Sequence, residues 1–448
     1  MIELYDFQKE DIDKIGLLPG VLIANDMGTG KTVEALWRDG LIRQQGFAEY
    51  RTLVVTPGTV ISSWLDHCEM FGIKAMAIDP RDRDKSWKEF CKGPYEIFVM
   101  HWEALRLMPE LQKVGWMHVI ADECHRMQNR KAQQTQAIKK IPTAYKTGMS
   151  GTPTTGFPDK FWSVLNWLYK KDFGSYWKFY NEHVEYEVKY PQGYHKILGP
   201  KNQDILLAKI DPFYTRRLKQ DVLKDLPDKY YDKRWVELTP PQRKAYNQMK
   251  ADMVAWVNAH ADTPLVAPAV IAQLVRLQQF AVSHAEINDE GQVRLSEPSS
   301  KLDALMDILE DNPTKQFVVF SNFKQLISLL EVRLKKAGIP YGLLTGDVAQ
   351  RDRGAAVAAF QQKSTRVFAG TIQAGGIGIT LTAASTVIFL DRNWSPALNL
   401  QAEDRLHRIG QVESVQVIDI MARDTIDLGR HAVIEMKHTW IKQLLGDI

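Results

Sequence analysis

The chain has 448 residues, 45% of them apolar and 25% charged, an ordinary balance for a soluble globular protein that buries full cores. No apolar run approaches the roughly 18 residues needed for a membrane span, and the charged, periodic opening MIELYDFQKEDIDKI is unlike a secretory leader. Cys68, Cys91 and Cys124 are scattered without metal-ligand spacing, so neither a disulfide framework nor a zinc site is expected, and a reducing, cytoplasmic compartment fits. The formal net charge of +3 neither demands nor excludes a nucleic-acid partner.

Short apolar runs at 20–24, 52–56, 97–100, 118–121 and 147–150 alternate with helix-length segments, and a second series follows at 317–321, 341–344, 367–370, 387–391 and 415–420. Such a pattern predicts parallel sheets covered on both faces, hence two α/β lobes in tandem. Between the two series, Phe161, Leu165, Leu168 and Tyr169 recur at helical spacing. So do Tyr246, Met249, Met253 and Trp256, and then Ile271, Leu274, Val275 and Gln278. These predict helical protrusions between the lobes, and the polar stretch 288–300 predicts a loop. The expected division is an N-terminal lobe with its protrusion over 1–228 and a C-terminal lobe over 229–448, the latter preceded by a helical insertion at about 239–296.

Three segments carry chemistry. The first, Asn25-Asp26-Met27-Gly28-Thr29-Gly30-Lys31-Thr32, follows a strand and opens a helix; the N–H groups of such a loop surround phosphate oxygens. Lys31 is placed to reach the β- and γ-phosphates and Thr32 to hold magnesium, although the strict phosphate-loop pattern has glycine where this chain has Asn25. The second, Val119 to His125, puts Asp122 and Glu123 at the end of an apolar strand, where ligands bind in open α/β sheets. Asp122 suits the magnesium and Glu123 the attacking water. In the third, QAEDRLHRIGQ at 401–411, Arg405 and Arg408 are three apart and on a helix would share one face. From a second lobe they could close on a γ-phosphate and make hydrolysis depend on lobe closure.

Taken in order, these motifs resemble the Swi/Snf-type branch of the superfamily-two helicase-like ATPases. The order is Gln8, DMGTGKT, Val54 to Pro57 with Trp64, Asp122 to His125, SGTP, Phe320 to Asn322, AGGIGITL followed by DRNWSP, and DRLHRIGQ. The stretches FWSVLNWLYKKDFGSYWKF, RRLKQDVLKDLPDK and SSKLDALMDIL agree as well, so the resemblance covers essentially the whole chain. It implies two RecA-like lobes that use ATP and Mg2+.

Residue by residue, the resemblance implies Gln8 at adenine, and Met27, Gly28, Thr29, Gly30, Lys31 and Thr32 around the phosphates and metal. It implies Asp122 and Glu123 in hydrolysis, and Arg405 and Arg408 as fingers with Gln401 beside them. His125 and Thr152 would relay nucleotide state. DNA contacts would fall at Thr56 and Pro57, at Ser321 and Asn322, and at Thr371, Gly375, Gly376 and Trp394. The implied activity is translocation on double-stranded DNA, branched or forked DNA included, without obligatory strand separation. A strand-separating DNA or RNA helicase and a scaffold with a decayed ATPase are the alternatives. Departures from the family pattern are Asn25-Asp26, Cys124, Thr154-Thr155-Gly156 and Asn399. No chromatin-reader, annealing or nuclease module is recognisable, which points to a bacterial or phage setting, or to a nuclear one for a eukaryotic source.

Overall fold

Every apolar run predicted as a strand forms one, and most of them are buried over their full length. The computed structural model describes residues 3–448 apart from 47–49, 190–193, 260–266, 349 and 376–378. The chain divides into two units, Met1–Lys224 together with Lys437–Ile448, and Asp225–Met436.

The first unit holds β1 (Gly20–Ile23), β2 (Thr52–Thr56), β3 (Ala75–Ala77), β4 (Ile97–His101), β5 (Trp116–Asp122) and β6 (Thr143–Met149). After the helices Pro158–Leu168 and Tyr176–His183 come an antiparallel hairpin, β7 (Val184–Lys189) with β8 (Tyr194–Pro200), and the short β9 (Tyr214–Thr215). The sheet is parallel, in the order β3-β4-β2-β5-β6-β1-β9. Its side chains alternate between two cores: Leu22, Leu53 and Val55 enter one, Val21, Ile23 and Val54 the other. The order places β1 beside β6 and β6 beside β5, so the segments leaving these three strands meet at one end of the sheet.

The second unit opens on β10 (Lys229–Val236), followed by the helices Pro240–Ala259 and Ala267–Val282 and the hairpin β11 (His284–Ile287) with β12 (Val293–Ser296). Then come β13 (Phe317–Ser321), β14 (Tyr341–Leu344), β15 (Val367–Thr371), β16 (Thr386–Phe389) and β17 (Val415–Ala422), all parallel, in the order β10-β17-β16-β13-β15-β14.

The sequence reading needs adjusting at two places. The stretch expected as a loop contains β12, in which Val293 and Leu295 are buried and Arg294 is exposed, a period of two that the surrounding Gly, Pro and Ser obscure. The lobe expected to run over 229–448 gives up its last residues: the helix Ile426–Leu445 carries the chain back to the first unit. There Ile441, Leu444 and Leu445 join the core, and the Tyr214 hydroxyl donates to the Leu445 carbonyl at 2.9 Å.

Candidate active site

The phosphate-binding loop is shaped by glycine. Gly28 and Gly30 have φ of 82° and 87°, a left-handed conformation that costs other residues roughly 1–2 kcal/mol. A Cβ on Gly30 would also lie 2.6 Å from the Gln8 amide nitrogen. Gln8 itself is buried and donates to the Thr29 carbonyl at 3.0 Å, so it braces the loop. Met27 packs against Gly151, and Thr32 lies in the first turn of the helix Lys31–Arg43. Lys31 Nζ donates to the carbonyls of Asn25 and Asp26, both at 2.9 Å. Burial pushes its ammonium down, against the opposing pull of Glu123, Asp26, Glu34 and Asp122. Lys31 and the acidic pair therefore share one electrostatic site.

Asp122 ends β5 and is held from three sides. Thr56 Oγ1 and Trp64 Nε1 donate to its Oδ2 at 2.7 and 3.0 Å, and the Glu123 N–H donates to Oδ1 at 2.9 Å. A carboxylate offers about four lone-pair positions, so one remains for a metal. Burial and the neighbouring Glu123 raise its pKa. Glu123 stands at φ 51°, left-handed without being glycine, a strained placement of the kind that collects at working sites. Its Oε2 accepts from Ser150 Oγ at 3.1 Å and lies 3.2 Å from His125 Nδ1. Burial pushes this carboxyl up, but His125, Lys31 and Ser150 prevail and hold it below its ordinary value, and therefore ionised. Ser150 Oγ also accepts from the Thr152 N–H at 3.2 Å, which ties the acid to the next loop.

Trp64 was recognisable as part of a motif, but its partner was not. Trp64→Phe removes a donor from Asp122 and should weaken Mg2+ affinity by roughly tenfold or more, as loss of a ligand's supporting hydrogen bond does. Titration of turnover against Mg2+ at fixed ATP reads this.

The departure at Asn25 now has a physical reason. Its side-chain amide donates to Asp11 Oδ2 at 2.8 Å and to both Glu34 oxygens at 3.2 and 3.1 Å. Asn25 is fully buried between two acids, where a third carboxylate would add only repulsion. Burial and Asp11 push Glu34 up to about 8. A carboxyl raised on folding stabilises the fold fully below its unfolded pKa, and that contribution is lost as pH rises through the folded value. Stability should thus decline from about pH 4.5 to about 8. In Glu34→Gln this part of the slope should vanish from denaturant titrations at several pH values.

A clamp that sequence reasoning missed lies behind the loop. Arg216 Nη1 donates to the Ala24 carbonyl at 2.6 Å and the Gly151 carbonyl at 3.2 Å, and pairs with Asp26 at 2.8 Å. Its Nε and Nη2 meet both oxygens of Asp447 at 2.9 and 2.7 Å, a bidentate fork. The RRLKQDV stretch was visible as a motif, but nothing local in sequence pairs it with residue 447.

In the second unit, the helix Pro396–Glu403 ends before Arg405. Arg405 and Arg408 therefore lie in a succession of turns, not on a shared helical face. Gly410 at φ 99° allows the reversal, and Gln411 Nε2 pins it by donating to the carbonyls of Ala384 and Leu406 at 2.9 and 3.3 Å. Arg408 is half-buried, reaches the Ile379 carbonyl at 3.4 Å, and has its pKa lowered by burial. Gln401 is buried on the preceding helix. Asn399, one of the departures from the family pattern, donates to the Asn393 carbonyl and accepts from the Asn393 N–H at 2.9 and 2.8 Å, a paired exchange that a carboxylate lacks the donor to make.

The residues expected at DNA have varied settings. Thr56 is buried on Asp122, and Pro57 is half-buried at the start of a short 3-10 turn. The Ser321 hydroxyl and the Asn322 amide both donate to buried Asp391, so those side chains face inward. Thr371 ends β15; a Cβ on Gly375 would strike the Phe320 ring at 2.4 Å; Trp394 Nε1 donates to Gln278 at 3.2 Å. Gly376 lies outside the described residues.

The chain is similar to known proteins over nearly its whole length. The SNF2-related domain matches residues 16–285 and the helicase conserved C-terminal domain residues 300–410. A Mycoplasma pneumoniae protein named an uncharacterized ATP-dependent helicase is 27% identical over 438 residues, 95% of this chain and 40% of that protein. The ISWI chromatin-remodeling complex ATPase CHR17 of Arabidopsis thaliana is 26% identical over 432 residues, 91% of this chain and 38% of that protein. The chain thus spans about two fifths of the length of these curated relatives. The Sulfolobus solfataricus SWI2/SNF2 ATPase core solved in complex with dsDNA is 23% identical with a TM-score of 0.46, covering 100% of this chain and 93% of that one. With more than half of its length matched by the family's defining domain and the helicase C-terminal domain following in order, the chain belongs to the SNF2-related family.

Proposed function

We propose that the chain is an ATP-driven translocase on double-stranded DNA. The observation that carries the ATPase part is the meeting, at one end of the first sheet, of Lys31, Asp122 and an ionised Glu123. On ATP binding, Lys31 exchanges its two loop carbonyls for phosphate oxygens, and the glycine-shaped loop supplies its N–H groups to the same phosphates. Asp122 and Thr32 would hold Mg2+, which neutralises charge on the phosphates. Glu123, fixed by Ser150 and His125, orients the water and accepts its proton. Arg405 and Arg408 are the second unit's contribution to transition-state charge, and Gln8 meets the base.

Duplex DNA as the track is supported by the family and by a relative named for chromatin remodelling. With the side chains of Thr56 and Ser321 engaged internally, the backbone contacts proposed at these loops are made by the main chain and by neighbouring residues. They position the protein without reading bases. ATP hydrolysis should be measured with no nucleic acid, single-stranded DNA, duplex DNA and RNA, beside triplex displacement and fork unwinding. Duplex stimulation with triplex displacement and no unwinding is expected. Stimulation by RNA alone, or unwinding matched to ATP use, would replace this reading with a strand-separating helicase.

A further inference from the structure

A line of cations, each laid over an aromatic ring, runs along the first unit. It uses none of the residues placed at the nucleotide or at the loops proposed for DNA. The Arg130 guanidinium lies 4.1 Å from the Tyr176 ring centre, Lys139 Nζ 4.7 Å from Trp162, and Lys146 Nζ 6.0 Å from Trp167. Lys131 and Lys160 join Arg130, Trp162 and Tyr176 around a cleft of about 220 Å³. The carboxylate in this cleft, Asp159, has one oxygen taken by Lys160 and the Tyr176 hydroxyl at 3.0 and 3.1 Å. Among the described residues Lys139 and Lys146 donate to neutral oxygens, of Asn166 and of the Trp167 carbonyl, and an ammonium has three donors. The indole N–H of Trp162 is buried without an acceptor among the described residues.

Positive charge outweighs the Asp159 carboxylate here. Burial together with Arg130 and Lys170 pushes Lys139 down to about 8, and burial with Lys170 lowers Lys146. Such crowding persists in a fold when a polyanion relieves it in use. The rings are informative about which polyanion. Their faces are already covered by cations, so they are not free as the stacking platforms that single strands use.

We propose that this stripe is a second nucleic-acid contact, in which Arg130, Lys131, Lys139, Lys146, Lys160 and Lys170 hold backbone phosphates of a duplex. The identity of the polyanion rests on the duplex-DNA reading above. The contact is insensitive to sequence and adds grip that does not depend on nucleotide state.

The test is the salt dependence of binding to a fluorescent blunt duplex, followed by anisotropy, for the full chain and for Arg130→Gln/Lys131→Gln/Lys170→Gln. Each phosphate contact contributes ~0.9 to the slope of log affinity against log salt. The triple variant should flatten that slope by roughly 2 to 3 and weaken binding at low salt by about tenfold or more, with DNA-free ATP hydrolysis unchanged. Lys170 is exposed, so Lys170→Gln alone keeps the test open should the triple variant fold poorly, and its slope should fall by about 0.9. A parent protein with no salt-dependent duplex binding would remove the DNA reading itself. A parent that binds duplex, with variants of identical slope, would overturn the stripe alone. Loss of polyglutamate binding with an unchanged DNA slope would also overturn it, in favour of an acidic protein.

Discussion

Glu123→Gln should bind ATP as the parent does and hydrolyse it roughly a hundred- to ten-thousand-fold more slowly, the range that loss of a general base produces. The substitution is nearly isosteric, so the left-handed turn at φ 51° and the Ser150 contact at 3.1 Å persist. What disappears is the acceptor that His125 and Lys31 keep ionised. Lys31 keeps its other acidic neighbours, Asp26, Glu34 and Asp122, so the phosphate grip should change by far less than turnover. Steady-state turnover set beside equilibrium nucleotide binding separates the two effects. Turnover within tenfold of the parent would mean that another group takes the proton.

Arg408→Ala should lower turnover by roughly a thousand- to a hundred-thousand-fold, as removal of an arginine finger does elsewhere, while nucleotide affinity changes little. Arg408 is suited to this because the hydrogen bond of its guanidinium to the Ile379 carbonyl is long at 3.4 Å. Burial lowers its pKa, yet a guanidinium stays charged throughout the physiological range. Its turn is anchored independently of it by Gln411, so the alanine variant should leave the fold in place. Arg405→Ala should follow in the same direction. A large loss of ATP affinity at unchanged maximal rate would assign Arg408 to ground-state binding.

How far the sequence could be read depended on whether a feature was local. Runs such as TLVVT and FVVFS are buried over their full length, and their shortness and β-branched residues favour a strand over a helix. β10, KYYDKRWV, is longer but sits at the edge of its sheet with mostly exposed side chains, so it carries no apolar signature. The 404–411 segment misled for a different reason. Its residues tolerate a helix, but Gly410 and the side chain of Gln411 impose turns. The loop and acid motifs were legible because their chemistry lies in consecutive residues. The partners of those motifs were not, since Thr56 and Trp64 reach Asp122 from 66 and 58 positions away. For the same reason Asn25 looked like a defect until Asp11 and Glu34 came into view.

The fork between Arg216 and Asp447 joins positions 231 apart, and this bears on the order in which the protein can assemble. A ribosome releases the N-terminus first, yet the first unit acquires Ile441, Leu444 and Leu445 only after the whole second unit has been made. A nascent chain stalled near residue 224 should therefore carry an exposed apolar seam and a loosened Asp26, and should be cut by protease more readily than the finished molecule. Adding the 437–448 segment back as a separate peptide should restore part of that resistance.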